Sequence, residues 1–175
     1  MSTLTLRQGL NGYAGVHDTQ IAQAKPTSTF ATNTRLMADL STRAVKQSLL
    51  TFTDLFGSGT NQIPVSATIT KAALILQTSN ASAQGGELHH MLVPWTDTKA
   101  SWKSLGSGIQ FDDREAAAAA DVVSGPTALG VLTLDVTSSL KAWQGGVANY
   151  GWAIKPSGTD NWEVYSSEGT SNYRP

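Results

Sequence analysis

Apolar and polar residues alternate along much of this chain, and a period of two is typical of β-strands. In the run at 149–155, the alternation predicts that Tyr150, Trp152 and Ile154 share one face. In the run at 71–77, Ile75 is an apolar exception on the polar face. The runs that follow this pattern are 3–6, 48–52, 71–77, 87–93, 131–136, 149–155 and 161–165.

Glycine, proline and asparagine separate these runs and supply the turns between them. Many short strands with such punctuation are typical of sandwiches and barrels. We therefore predict an all-β fold, an antiparallel β-sandwich of jelly-roll type with one or two short helices. Residues 1–175 are expected to form a single domain, because the chain has no internal repeat or linker.

Two segments have helical features instead. From Val136 onward, apolar residues recur at i, i+4 and i+7, with Thr137 as the expected N-cap and Gly145 as the stop. The segment 112–123 combines acidic residues at its start with five alanines, which are strong helix formers. We predict a helix in each segment.

Several of these stretches resemble the DNRLRE-domain family of β-sandwich modules from surface and secreted proteins, which are often associated with polysaccharide. Residues 56–62 look like an insertion relative to that family. The resemblance covers nearly the whole chain and is most specific in "LTLDVTSSLKAWQGGVANYGWAIKP". The other stretches that carry it are "HDTQIAQAKPTSTFATNTRL", "LLTFTDL", "IPVSATITKAALIL", "PWTDTKASW" and "VYSSEGTSNYRP".

The resemblance raises a question about the C-terminus. In the family, one more apolar-alternating strand follows an Arg-Pro such as Arg174-Pro175 and closes a sheet edge. The chain is therefore expected to lack a final edge strand. Three explanations stay open: the sequence is cut there, a partner supplies the strand, or the first run with Leu4 and Leu6 takes its place.

Histidine chemistry does not indicate an enzyme. His89 and His90 are neighbours on an expected strand, so they point to opposite faces, one packed and one solvated. His17 and Asp18 could form part of a catalytic triad, but no nucleophile motif accompanies them. The expected role of Asp18 is to accept a hydrogen bond in a turn or at a strand edge. We predict a non-catalytic protein.

Carboxylates give no second route to catalysis. Asp112, Asp113 and Glu115 are neighbours at an expected helix start, whereas glycosidases need two carboxyl groups facing each other across a cleft. The sequence indicates no cofactor. A structural calcium ion held by discontinuous ligands remains open, and the sequence names none of its ligands.

The low charge and the lack of long apolar runs limit the classes of binding partner that the sequence predicts. The net charge is −1, charged residues make up only 14% of the chain, and cysteine is absent. No basic stripe indicates a nucleic-acid partner, and no apolar run approaches the roughly 20 residues that span a bilayer. We therefore expect neither nucleic-acid binding nor membrane insertion, and no export leader is recognised at the N-terminus.

Tryptophan is the residue type most suited to sugar recognition, because exposed rings stack on the C–H faces of sugars. Trp143, Trp152 and Trp162 lie on the apolar sides of their runs and are expected in the core. The remaining candidates flank a polar loop with two lysines that suit an acidic polysaccharide. The predicted glycan platform consists of Trp95, Trp102, Lys99 and Lys103.

Two functions fit these features. The first is a non-catalytic structural and recognition module of an assembled particle, in particular a bacteriophage virion protein such as a capsid decoration or tail component. It would be assembled in the host cytoplasm with other protein subunits. The alternative is a carbohydrate-binding module of a larger secreted or cell-surface protein, which binds polysaccharide through the Trp platform.

Overall fold

Two antiparallel β-sheets face each other in the computed structural model, which describes residues 2–175. This confirms the predicted all-β sandwich. The strands are β1 (Val16–Ala22), β2 (Arg35–Ala38), β3 (Lys46–Phe52), β4 (Ala73–Asn80), β5 (Gly86–His90), β6 (Val122–Val123), β7 (Gly130–Asp135), β8 (Trp152–Pro156) and β9 (Trp162–Tyr165). One α-helix, α1 (Thr137–Gln144), precedes β8, and short 3-10 turns lie at Leu10–Gly12 and Ser171–Tyr173.

Strand order differs from chain order in both sheets. The first sheet has the order β1-β3-β8-β5-β6, and the second has the order β2-β9-β4-β7. All strand pairs are antiparallel, and β1 pairs with β3 from Val16 opposite Phe52 to Ala22 opposite Lys46. Such crossovers between two facing layers are characteristic of jelly-roll and Greek-key sandwiches.

The first core fills the space between the two sheets. Leu50 and Phe52 enter it from β3, and Leu74 and Leu76 enter it from β4, as the alternation predicts. Ile75 points the other way and is 54% exposed, which confirms it as the exception. The three tryptophans expected in the core are buried there: Trp143, Trp152 and Trp162.

A second core lies on the outer face of the first sheet. Ile21, Leu49 and Ala153 point outward from β1, β3 and β8 and are buried. The segment 91–121, here called the covering segment, packs over them. Its buried apolar contacts to this layer are Met91, Ala100, Leu105, Ile109 and Ala116. The first sheet is therefore covered on both faces, a feature that no periodicity in the covering segment predicts.

Helix α1 forms where its apolar spacing predicts, but it begins one residue earlier than expected. Val136 occupies the N-cap position, and Thr137 is the first helical residue. The Thr137 backbone N–H donates to Asp135 Oδ1 at 2.9 Å, so an aspartate caps this end instead. Gly145 ends the helix as predicted.

The predicted helix at 112–123 is wrong. Its backbone pairs with β5 instead: the Ala117 N–H donates to the His90 carbonyl and the Asp121 N–H to the Leu88 carbonyl, at 2.9 and 2.8 Å. Ala116 is fully buried in the second core. Tertiary pairing and close packing of small methyl groups thus override the helix propensity of alanine.

Two further expectations on strands are wrong. Residues 3–6 form no strand, although Leu6 packs against the first core and the Gln8 N–H donates to the Pro175 carbonyl at 3.0 Å. Tyr150 does not share a face with Trp152 and Ile154, because it packs against the second core. Gly151 has a φ of 71°, and this left-handed residue breaks the alternation just before β8.

Candidate functional site

Trp95 lies in the covering segment and is held at a fixed position. Its ring packs partly against the second core. Its indole N–H donates to the Tyr150 carbonyl at 2.8 Å, which ties the loop to the chain entering β8. The side chain keeps intermediate exposure, so part of the ring faces solvent while its polar edge is already bonded.

Trp102 is fixed by a close approach to backbone. A Cβ atom on Gly108 would come within 2.6 Å of the Trp102 ring, and Gly108 has a φ of 98°. Only glycine satisfies both conditions without strain. The Gly108 N–H also donates to the Trp102 carbonyl at 2.8 Å. Like Trp95, Trp102 is partly buried against the second core and partly exposed.

The chain between the two indoles is a compact pair of turns. The Ala100 N–H donates to the Thr96 carbonyl at 2.8 Å, and the Ser101 N–H donates to Ser104 Oγ at 2.9 Å. Lys99 and Lys103 lie on these turns and are exposed. Within residues 2–175 neither lysine side chain forms an ion pair, so both amines remain directed to solvent.

His17 and Asp18 lie on opposite faces of β1 and form no catalytic pair. His17 points outward, and its Nδ1 lies 3.4 Å from Asp97 Oδ2 in the covering segment. Asp18 points inward and is 2% exposed. Its Oδ2 accepts a hydrogen bond from the Ser167 N–H at 2.7 Å, which is the acceptor role expected from the sequence.

His89 and His90 point to opposite faces, as predicted, but neither is solvated. The side chain of His90 is only 12% exposed and His89 only 1%, so the expectation of one solvated histidine is wrong. His89 bonds both the Ala117 carbonyl and the Glu87 carboxylate, at 2.8 and 2.9 Å. The Lys155 ammonium, and after it His89, lowers the pKa of Glu87 by hydrogen bonding. Histidine and carboxylate therefore serve structure here.

A second aromatic group lies on the outer face of the second sheet. The Arg35 guanidinium carbon sits 3.5 Å from the centre of the Tyr165 ring, and Tyr173 packs on the same ring at 4.8 Å between centroids. Tyr173 is 42% exposed. Sequence reasoning missed this group, although the alternation in β9 places Tyr165 on the face opposite Trp162.

Acidic groups are dispersed in this fold. Among residues 2–175, no three histidine, cysteine or carboxylate side chains come together as metal ligands. Asp112 forms an exposed ion pair with Arg114 at 3.2 Å, and Asp113 accepts the Ala118 N–H at 2.9 Å. These carboxylates stabilise a turn in place of the expected helix start.

No helix within residues 2–175 has the length and apolar character needed to cross a membrane.

Half-buried indole rings that keep one part exposed can stack on the apolar faces of a ligand. A comparison with protein-family models agrees, since the model of carbohydrate-binding module family 96 matches residues 12–175. This match covers most of the chain, and the chain belongs to carbohydrate-binding module family 96. No curated protein matches the chain significantly.

The family match bears on the two functions weighed from the sequence. It supports a carbohydrate-binding β-sandwich, and it does not specifically support the DNRLRE-domain family. It favours the carbohydrate-binding alternative over the virion protein, for which neither the fold nor the comparison provides support. Modules of such families are typically non-catalytic, in agreement with the prediction that the protein is not an enzyme.

Proposed function

We propose that the protein is a non-catalytic module that binds an acidic polysaccharide outside the cell or at its surface. Its binding platform would be formed by Trp95 and Trp102, with Lys99 and Lys103 as its charged rim. The observation that carries this proposal is the family match over residues 12–175. The assignment of the binding platform to these four side chains is a separate step of the proposal and needs its own test.

The geometry of the two indoles supports this assignment. Both rings are pre-ordered, Trp95 through its bond to the Tyr150 carbonyl and Trp102 through its contact with Gly108. A ring that is already fixed loses little conformational entropy on binding, so more of the stacking energy is available as affinity. The exposed lysine amines beside them can attract carboxylate or sulfate groups of a glycan.

Isothermal titration with acidic and neutral polysaccharides tests the proposal. Replacing both rings, by Trp95→Ala with Trp102→Ala, is expected to weaken binding more than tenfold, because a central aromatic contact contributes about 2 kcal/mol or more. Both rings also pack on the second core, so a thermal melt of the variant must first show that it is folded at the titration temperature.

The other aromatic group provides the matched control. Tyr165→Ala with Tyr173→Ala removes an aromatic pair from the opposite side of the molecule and is expected to leave the affinity unchanged. If these tyrosine substitutions abolish binding while the tryptophan substitutions do not, the platform lies on the second sheet. If the native protein binds no polysaccharide at all, the proposed function itself is wrong.

Lys99 and Lys103 are expected to make the protein bind acidic polysaccharides more tightly than neutral ones. Lys99→Gln with Lys103→Gln should weaken binding of an acidic polysaccharide by about fivefold to tenfold, since each exposed charge pair contributes at most about 1 kcal/mol. Binding of a neutral polysaccharide should not change. Titrations at low and high salt check this, because the native protein should lose the acidic preference at high salt and the variant should show no salt dependence.

A further inference from the structure

A lysine, an asparagine and a glutamate from different parts of the chain meet where the two sheets approach each other. Lys46 begins β3 in the first sheet, whereas Asn161 immediately precedes β9 and Glu163 lies within β9 of the second sheet. The Lys46 amine donates to Asn161 Oδ1 at 3.0 Å. The Asn161 side-chain NH₂ donates to Glu163 Oε1 at 2.6 Å.

The orientation of the carboxamide follows from its two partners. A lysine amine in its charged form can only donate hydrogen bonds, and a carboxylate can only accept them. The Asn161 oxygen therefore faces Lys46, and the Asn161 nitrogen faces Glu163. Donation to the oxygen withdraws electrons from the carbonyl carbon, and the carboxylate stands beside the nitrogen that would leave if an amine attacked that carbon.

The surrounding chain holds both reactants in place. Lys46 exchanges two backbone hydrogen bonds with Asp39, at 2.8 and 3.1 Å. Asn161 has a left-handed φ of 52°, and its backbone carbonyl accepts the Asn80 side-chain NH₂ at 2.6 Å. Asp39 Oδ2 lies 3.9 Å from the Lys46 amine, while Asp39 Oδ1 is occupied by the Ser41 N–H and hydroxyl.

We propose that Lys46 and Asn161 form an intramolecular isopeptide bond that joins the two sheets covalently. Asp39, through its free Oδ2, takes a proton from the Lys46 ammonium. The neutral Nζ attacks Cγ of Asn161, and a bond forms between them. Glu163 accepts one of the two remaining Nζ protons and delivers it to Nδ2, so that the Cγ–Nδ2 bond breaks and ammonia leaves, while the other hydrogen stays on the new amide nitrogen. Amine and carboxamide become amide and ammonia, and nothing is oxidised or reduced.

Proximity is what makes this reaction accessible to two groups of low reactivity. An oriented intramolecular pair can react as if at an effective concentration of about 10⁵ M or more. The water-exposed fraction of the reactants is modest: the Lys46 side chain is 28% exposed and that of Asp39 8%. The reaction is independent of the proposed carbohydrate platform, so its test and the binding test fail separately.

Mass spectrometry of the intact folded protein, purified and incubated near pH 8, tests the bond. Loss of one ammonia is expected to lower the mass by about 17 Da relative to the sequence. Proteolysis should then release a branched peptide in which Lys46 is joined to Asn161. A mass that matches the unmodified sequence after prolonged incubation would overturn the proposal, as would ammonia loss without the branched peptide, which indicates a cyclised asparagine instead.

Single substitutions test which side chains take part in the proposed reaction. Lys46→Arg keeps the charge but removes the nucleophile and is expected to abolish the mass loss, and Glu163→Gln is expected to slow it at least tenfold. Lys155→Arg is the matched control, since Lys155 lies 2.9 Å from Glu87 in a similar ion pair and has no asparagine beside it. Persistence of the mass loss in Lys46→Arg, or its disappearance in Lys155→Arg, contradicts the assignment.

Discussion

Trp152→Ala is expected to lower the free energy of unfolding by about 3 to 5 kcal/mol. Trp152 is 1% exposed at the centre of the first core, and its ring packs on Trp143 at 4.7 Å between centroids. Its indole N–H donates to Asp121 Oδ2 at 3.0 Å and contacts Ser139 Oγ at 3.3 Å. The substitution therefore creates a large cavity and also removes a donor from a carboxylate.

Chemical denaturation followed by far-ultraviolet circular dichroism measures this effect. Trp152→Phe keeps a six-membered aromatic ring but loses the N–H and part of the indole, so a smaller cost of about 1 to 3 kcal/mol is expected. Val131→Ala is the surface control: Val131 is 73% exposed, and its loss should change stability by less than about 0.5 kcal/mol. A loss below about 1.5 kcal/mol for Trp152→Ala would show that this core is not as tightly packed as the structure indicates.

The sandwich could be predicted because period-two alternation reports directly on which face of a strand is buried. The predictions from the sequence are wrong at two places where tertiary contacts or backbone conformation override the local pattern. The alanines at 112–123 have high helix propensity, yet their backbone groups pair with β5 and Ala116 packs in the second core. Tyr150 was assigned to the wrong face because a left-handed Gly151 shifts the register by a residue. Neither effect is encoded in a local pattern.

The two candidate sites also differ in whether the sequence alone could point to them. Trp95 and Trp102 can be named as candidates from the sequence, because tryptophans in a polar loop differ from those in alternating runs, and their role in binding stays a prediction. The group of Lys46, Asn161 and Glu163 could not be found, since Lys46 and Asn161 are 115 residues apart and meet only through the pairing of β2 with β9 and the Asp39 bridge. The proposed reaction depends on this long-range arrangement, because none of the three side chains is unusual in its local sequence.

Asp18 makes the stability of the fold depend on pH in an unusual direction. It is 2% exposed between the sheets, and its Oδ1 has no hydrogen-bond partner. Burial, and after it the charge of Glu168, raises the pKa of Asp18 to about 7, against the lowering effect of the Ser167 N–H. In the unfolded chain the same carboxyl group titrates near a pKa of about 3.9.

Between about pH 4 and pH 7 the folded protein therefore binds one more proton at Asp18 than the unfolded chain does. Under this condition the free energy of unfolding falls as pH rises, and the contribution of Asp18 changes by about 4 kcal/mol over the interval. Below that interval both states are protonated, and above it both are ionised, so the effect of Asp18 is then constant. At pH 8 the fold contains a buried carboxylate with one unpaired oxygen.

Asp18→Asn is expected to remove this dependence and to stabilise the protein at pH 8 by several kcal/mol. An asparagine oxygen can still accept the Ser167 N–H, and its NH₂ can donate to the neighbouring Glu168 carboxylate. Denaturation at pH 5, 6, 7 and 8 should give a negative slope for the native protein and a flatter one for the variant. Any slope due to the histidines is common to both proteins and cancels in the difference.

Asp135→Asn is the control, because the pKa of the Asp135 carboxyl group is lowered by the fold instead of raised. Hydrogen bonds from the Thr137 hydroxyl and backbone N–H lower the pKa of Asp135, and the side chain is fully exposed. It titrates below the interval in question, so its removal should leave the slope between pH 5 and pH 8 intact. Equal slopes for the native protein and Asp18→Asn would mean that Asp18 is ionised across this range, with a cation or an ordered water compensating its charge inside the sandwich.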